Sequence, residues 1–242
     1  MMLIIVSIIF SCTTSPEVFE YPERQIDRPP TLPKEVTAWH IPTILGVWDY
    51  NDEYCLFPPI PFPVLFETGI TDNLTLNSLL FIPISLDYAL LISEIHSVVL
   101  SGGIVGLTIT GNEGIIMPLL GATYSYLLGD SIKFNTGLNV QMPLYLSFDD
   151  FMLAGITLTN TTIFDFQLLD KAMLSVGASL YFRNTKLLYK DSFPIGRAFD
   201  YDISIMPSIK LNYNINHEWD IELYSVISSD LYGVTIDFIR YY

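Results

Sequence analysis

Residues 131–142 read Ser-Ile-Lys-Phe-Asn-Thr-Gly-Leu-Asn-Val-Gln-Met, and this alternation constrains the fold more than any other stretch. Odd positions carry Ser131, Lys133, Asn135, Gly137, Asn139 and Gln141; even positions carry Ile132, Phe134, Thr136, Leu138, Val140 and Met142. Successive side chains of a β-strand point to opposite faces, so a strand here has one polar and one largely apolar face. Wound as a helix, the same residues would scatter apolar groups around the axis and bury Lys133 and Asn139 among them. The stretch is therefore expected to be a strand.

The pattern recurs. Residues 171–183 set Ala172, Leu174, Val176, Ala178, Leu180 and Phe182 against Lys171, Ser175, Gly177, Ser179, Tyr181 and Arg183. Residues 198–214 set Phe199, Tyr201, Ile203, Ile205, Ile209, Leu211 and Tyr213 against Asp200, Asp202, Ser204, Lys210, Asn212 and Asn214. Strands this long, half apolar and half polar, suit a water-soluble sandwich or barrel, or a barrel turned inside out in a bilayer.

From Val36 onward the reading gives strands at about 36–50, 62–70, 74–81, 84–92, 97–110, 114–128, 131–146, 152–168, 172–186, 199–214, 217–228 and 231–242. Short connectors rich in Gly, Asn and Asp, such as 71–73, 111–114, 128–130 and 214–217, separate them and supply the positive φ values of hairpin turns. The expected fold is all-β: an antiparallel meander of twelve strands closed as a transmembrane β-barrel. Ten strands follow if the third and fourth form one strand through Pro83 and the weakly patterned first is not a strand, and eight is a further alternative. The prolines at 58, 59, 61 and 63 keep 57–63 extended at a sheet edge or rim.

Composition separates the two kinds of barrel. Charged residues make up 15% of the chain, against about 25% in an average soluble domain. The polar faces are largely Ser, Thr, Asn, Gly and Gln, which suits a lumen better than a solvated exterior. The alternative is a lipid-tethered soluble β-barrel that binds a small apolar ligand. A helical membrane protein is a further competitor, because 96–112 lacks Asp, Glu, Lys and Arg. That segment and 114–129 are nevertheless rich in Gly and β-branched residues and are joined by a very short connector.

The net charge of −15 leaves no basic stripe to neutralise phosphates, so nucleic acid is excluded as a partner. Two cysteines, Cys12 and Cys55, and three widely separated histidines, His40, His96 and His217, build neither a disulfide framework nor a metal site. No cofactor is expected. His96 and Ser97 adjoin and so face opposite ways, His217 falls in a turn, and His40 has no acid beside it in sequence. A non-enzymatic protein follows.

Residues 1–12 carry an apolar run, Leu3–Phe10, too short to span a bilayer but suited to a secretion signal. Ile9-Phe10-Ser11-Cys12 resembles a bacterial lipobox, which implies lipidation at Cys12. Residues 13–35 are polar and proline-rich and read as a tether, leaving 36–242 as the barrel domain.

The hairpin Glu67-Thr-Gly-Ile-Thr-Asp-Asn-Leu-Thr-Leu76 resembles one common in Gram-negative outer-membrane β-barrels. Residues 127–132 and 215–221 are similar to it. The chain end, Tyr232 to Tyr242, resembles the terminal signal read by the barrel-assembly machinery, with Arg240 departing from its apolar pattern. The resemblance implies an outer-membrane location with both termini periplasmic, contact with outer-membrane lipids, and a role as a small pore or envelope structural protein. Candidate lumen-lining residues are Lys133, Asn135, Asn139, Lys171, Arg183, Asp200, Asp202, Lys210, Asp220 and Glu222. Small residues, among them Gly102, Gly106, Thr108, Gly121, Thr123, Ser125 and Gly137, are expected to keep the lumen open. Cys12→Ala should abolish incorporation of labelled fatty acid; unchanged labelling would place the lipid elsewhere.

Overall fold

Alternating side chains can satisfy two solvents at once only if the sheet that carries them has no free edge. A computed structural model describes residues 22–50, 53–61, 65–79, 82–110, 113–142, 144–147, 151–153, 155–187, 197–227 and 231–242. Within them, strand segments are β1 (Thr37–Tyr50), β2 (Glu53–Pro61), β3 (Leu65–Thr71), β4 (Leu74–Leu79), β5 (Ile82–Ile92), β6 (His96–Thr110), β7 (Glu113–Leu128) and β8 (Ile132–Gln141). They continue as β9 (Leu144–Ser147), β10 (Phe151–Leu153), β11 (Gly155–Leu169), β12 (Ala172–Leu187), β13 (Arg197–Asn216), β14 (Trp219–Ile227) and β15 (Leu231–Tyr241). The pairs β2 with β3, β8 with β9, and β10 with β11 continue one register along the same neighbour, so the fifteen segments form twelve staves.

All pairings are antiparallel, each stave lies beside the next in sequence, and β1 pairs with β15 from Ala38↔Tyr241 to Trp48↔Leu231. Thr37 and Tyr242 exchange backbone hydrogen bonds of 3.1 and 2.9 Å at the end of that seam. The twelve-stranded meander expected from the sequence is therefore a closed barrel. The segments 96–112 and 114–129, open to a helical reading, form β6 and β7, and no helix among the described residues is long and apolar enough to cross a membrane.

The two faces have opposite polarity, inverted relative to a soluble protein. Leu120, Leu138, Val176, Leu180, Ile203, Ile205, Ile209, Leu211 and Leu223 project outward, with Leu138 at 51% and Ile205 at 70% exposure. Thr75, Ser97, Ser125, Thr159, Ser175, Asn212, Asn214, Thr235 and Asp237 are buried on the inner face. Asn160 and Thr136 are polar residues on the outer face, and they bond across strands to Gly137 O (3.2 Å) and Thr162 (3.4 Å). The alternative of a soluble barrel holding an apolar ligand requires the reverse arrangement.

One end of the barrel, here called the turn end, carries the tight connections at 72–73, 93–95, 129–131, 170–171 and 217–218 together with Thr37 and Tyr241. Aromatic rings gather there. Trp39 packs on Phe66 and Tyr242 at 4.9 and 5.2 Å, and His96 stacks on Tyr124 and Tyr126 at 5.9 and 4.9 Å. Arg240, the residue that departs from the apolar terminal pattern, lies over the rings of Trp219 (5.2 Å) and Tyr242 (4.4 Å) and 3.8 Å from Glu218. A cation at an interfacial ring belt can reach water while its stem stays apolar.

Two expectations need correction. Residues 22–35, read as part of a tether, are folded against the turn end, because contacts with the barrel supply order that their own composition cannot; residues 1–21, including Cys12, lie outside the described residues. Gly102 faces outward, in register with exposed Leu86 and Leu120, while Ser101 and Gly103 face in. The run Val98-Val99-Leu100 has no alternation to set its phase, so the sequence reading slipped by one residue. The side chains of Gly106 and Thr108 lie outside those described.

Leu138→Arg should cost roughly 2–4 kcal/mol near the bilayer midplane, whereas Asn139→Arg should be far better tolerated. Urea unfolding in lipid vesicles reads the difference, and equal tolerance would contradict the assigned faces.

Candidate functional site

The inner face begins with β8 and β11, where Lys133 stands in register with Asp165 and Asn135 donates to Asp165 Oδ2 at 2.5 Å. Across the same wall, Lys210 of β13 donates to Glu222 of β14 at 3.1 Å, with Lys210 35% exposed and Glu222 19%. Asn139 lies against Gly121 so closely that a Cβ there would come within 2.0 Å of its Oδ1. With Ser85, Asp87, Ser101, Gln141, Thr159, Thr161 and Tyr181, these two residues border an interior cavity of ≈ 380 Å³.

Other residues expected at the lumen take different places. Lys171 sits in the β11–β12 turn with Nζ 3.8 Å from Glu23. Arg183 and Asp202 face each other in register and are both exposed, with the Arg183 guanidinium 5.7 Å above the Tyr181 ring. Asp200 pairs with Thr185 in β13, and its side chain lies outside those described. Asp220 stands opposite Asn214, twelve residues along β13 from Asp202 and hence roughly 40 Å away at the strand rise. Of the four acids among the candidate lumen-lining residues, Asp200 and Asp202 therefore lie towards the opposite end of the barrel from Asp220 and Glu222.

Asp220 is the most enclosed of them, at 1% exposure. Arg28, from the segment that precedes β1, meets it with two guanidinium nitrogens: Nη1 contacts Oδ2, and Nη2 lies 3.1 Å from Oδ1. Gln25 (2.9 Å), Asn214 (3.0 Å) and the Tyr241 hydroxyl (3.0 Å) donate to the same carboxylate. The Arg28 guanidinium also donates to Pro22 O and Gln25 Oε1, each at 2.9 Å. A buried ion pair is tolerated when its remaining donors and acceptors are satisfied in this way.

The rest of the segment crosses the turn end. Arg24 donates to Asp130 O, and Ile26 N donates to Gln167 Oε1 at 3.2 Å. On the far side Thr31 bonds Asp72 O at 2.9 Å and Leu32 N bonds Thr75 Oγ1 at 2.8 Å. Leu32 and Val36 pack with Ala38 and Ile239 as a small apolar core. Glu35 N donates to Gly69 O, and Gly69 N to Val36 O, both at 2.9 Å. The approach is so close that a Cβ on Gly69 would fall 1.9 Å from Pro33 O.

Sequence reasoning also missed a third group. His40, without an acidic neighbour in sequence, has Nδ1 2.8 Å from Asp237 Oδ2 and Nε2 3.6 Å from Glu67 Oε1. With a carboxylate at each ring nitrogen, the imidazole is an ion-pair partner rather than a base beside a nucleophile. Alternation would have placed Asp87, between outward Leu86 and Tyr88, on the inner face. His96 and Ser97 do part, His96 among outer-face tyrosines and Ser97 buried within.

No family model matches the chain, and no curated protein does. Solved structures are similar to it in fold. The KdgM porin shares 12% identity over 84% of this chain and 98% of its own, with a TM-score of 0.49. An outer membrane channel from Pseudomonas putida F1 shares 8% over 94% and 100%, at 0.45. The translocator domain of the autotransporter NalP from Neisseria meningitidis shares 7% over 87% and 89%, at 0.43. The fold itself rests on the chain's own strand pairing, which closes twelve antiparallel staves into a barrel. The likeness extends to architecture, and each solute or role named belongs to the neighbour.

Removing the Asp220 carboxylate with Asp220→Ala should cost roughly 3–5 kcal/mol, since Arg28, Gln25, Asn214 and Tyr241 all lose their shared acceptor. Glu222→Gln should cost less than about 1 kcal/mol, because Lys210 can turn to water. Unfolding midpoints in vesicles measure both, and equal losses would contradict the difference in enclosure.

Proposed function

We propose that the protein is an integral outer-membrane β-barrel that acts as a small, weakly cation-preferring pore. One observation carries this reading: an interior cavity of ≈ 380 Å³ is bordered by polar inner-face side chains, among them Ser85, Asp87, Ser101, Asn139 and Thr159. Space of that size lined by hydroxyls, amides and a carboxylate has both the room and the partners that water needs. Twelve strands also leave more interior than side chains of this size fill.

Charge in the lumen supports the cation preference and centres it on Asp87. Asp220 is engaged by Arg28 and Glu222 by Lys210, while Lys133 stands beside Asp165. Asp87 borders the cavity and receives a hydrogen bond from Asn77 at 2.7 Å, with no cation within ion-pair distance among the described residues. An uncompensated carboxylate in a narrow aqueous passage attracts cations, and the paired charges keep the effect modest.

Pro22, where the described chain begins, and Tyr242 share the turn end, which we place on the periplasmic side, and an acyl chain on Cys12 would tether the segment to the adjacent leaflet. An envelope structural role is the second reading, favoured by the segment lying across the turn end. Reconstitution in planar bilayers distinguishes the two. The pore predicts stepwise conductance with a reversal potential on the cation side, moved towards zero by Asp87→Asn and little changed by Glu222→Gln. Folded protein that gives no steps, with Arg28→Ala as silent as the unaltered chain, would leave the structural role.

A further inference from the structure

We infer that residues 22–36 form an autoinhibitory plug, anchored at Leu32–Val36, hinged between Thr31 and Leu32 and latched by the Arg28–Asp220 ion pair. The inference rests on the pore reading above and adds how such a pore would be held shut. Its first support is position. The segment bonds the β3–β4 turn through Thr31 and β11 through Ile26, and these staves lie almost opposite each other around the barrel. Further contacts at Asp130, Lys171 and Asp220 fall between them. A chain fastened at these points crosses the turn-end mouth rather than following its rim.

The second support is that the two ends of the segment are held differently. Leu32 and Val36 are buried against Ala38 and Ile239, and residues 35–36 bond Gly69 as an extension of the sheet. This end is anchored by apolar burial and by continuity with β1. The other end, 22–31, docks mainly through polar contacts. Glu23 is 57% exposed in its pair with Lys171, and the Arg24–Asp27 pair is exposed. Water competes well for bonds of that kind. The Arg28 pair, with side-chain exposures of 7% and 1%, is the most enclosed ion pair of this arm among the described residues. Ile26 is the buried apolar residue of the short 3₁₀ turn Gln25–Asp27.

A segment anchored at one end and latched at the other mainly by a buried ion pair has two arrangements available. Latched, it covers the mouth. Released, 22–31 swings away while Leu32–Val36 stays seated, and Arg28 and Asp220 both gain water, so the cost of separating them is reduced by solvation. Gly69 contributes independently, because Pro33 O occupies the space that any side chain there would need.

The test uses full-length protein in planar bilayers, with heat-modifiable gel migration confirming that each variant is folded. Arg28→Ala, which removes the latch, and Gly69→Ala, which displaces the anchored end, should each raise open probability at least severalfold over the unaltered protein. The charge exchange Arg28→Asp with Asp220→Arg should return it towards the original level, which simple damage to packing would not. If Arg28→Ala fails to fold, Gly69→Ala carries the comparison alone. Folded variants whose conductance and open probability match the unaltered protein would overturn the plug and leave the pore standing. Absence of current from every folded variant would overturn the pore, and the plug with it.

Discussion

A sheet surrounded by hydrocarbon has no water to complete its edges, so every backbone N–H and C=O on its outermost strands must find a partner within the sheet. Closure of β1 on β15 over eleven residue pairs meets that requirement, and the rest of the structure depends on it. Once the sheet closes, pleating sends alternate side chains to two separate environments. The outer environment receives Leu138, Ile205 and their neighbours, and the inner receives amides, hydroxyls and carboxylates. An open sheet with the same sequence would expose its polar edges to lipid and fall apart at the seam.

Closure also concentrates charge. A barrel interior brings together residues remote in sequence, and each acid there must be paired, hydrated or exposed. Asp220 is paired with a residue 192 positions away, Asp237 with His40, Glu222 with Lys210. Asp87 stands among neutral hydroxyls and amides beside the cavity. The distribution separates acids engaged by a cation from Asp87, which accepts from the neutral side chain of Asn77. In the proposed pore that separation, rather than the total charge of −15, governs what an ion would meet.

How much was legible in the sequence follows from the same physics. Strand period is local, so the staves, their turns and the outward faces of β8, β12 and β13 could be read from residues 131–142, 171–183 and 198–214. β6 was read out of phase because Val98, Val99 and Leu100 carry no alternation. The segment 22–36 has no period at all; its prolines and charges match a tether, and only long-range contacts with Asp72, Asp220 and Gln167 order it. The environment of His40 was invisible for the same reason, since the acids that flank it lie on β3 and β15.

The central claim is an inverted barrel, lipid outside and water within, and spin labels placed singly along 173–182 of β12 test it most directly. The account predicts that labels at 174, 176, 178, 180 and 182 are relaxed by oxygen dissolved in the bilayer. Labels at 173, 175, 177, 179 and 181 should respond instead to a water-soluble nickel reagent, with a period of two throughout. A profile without that period, or one with the two sets exchanged, would contradict it.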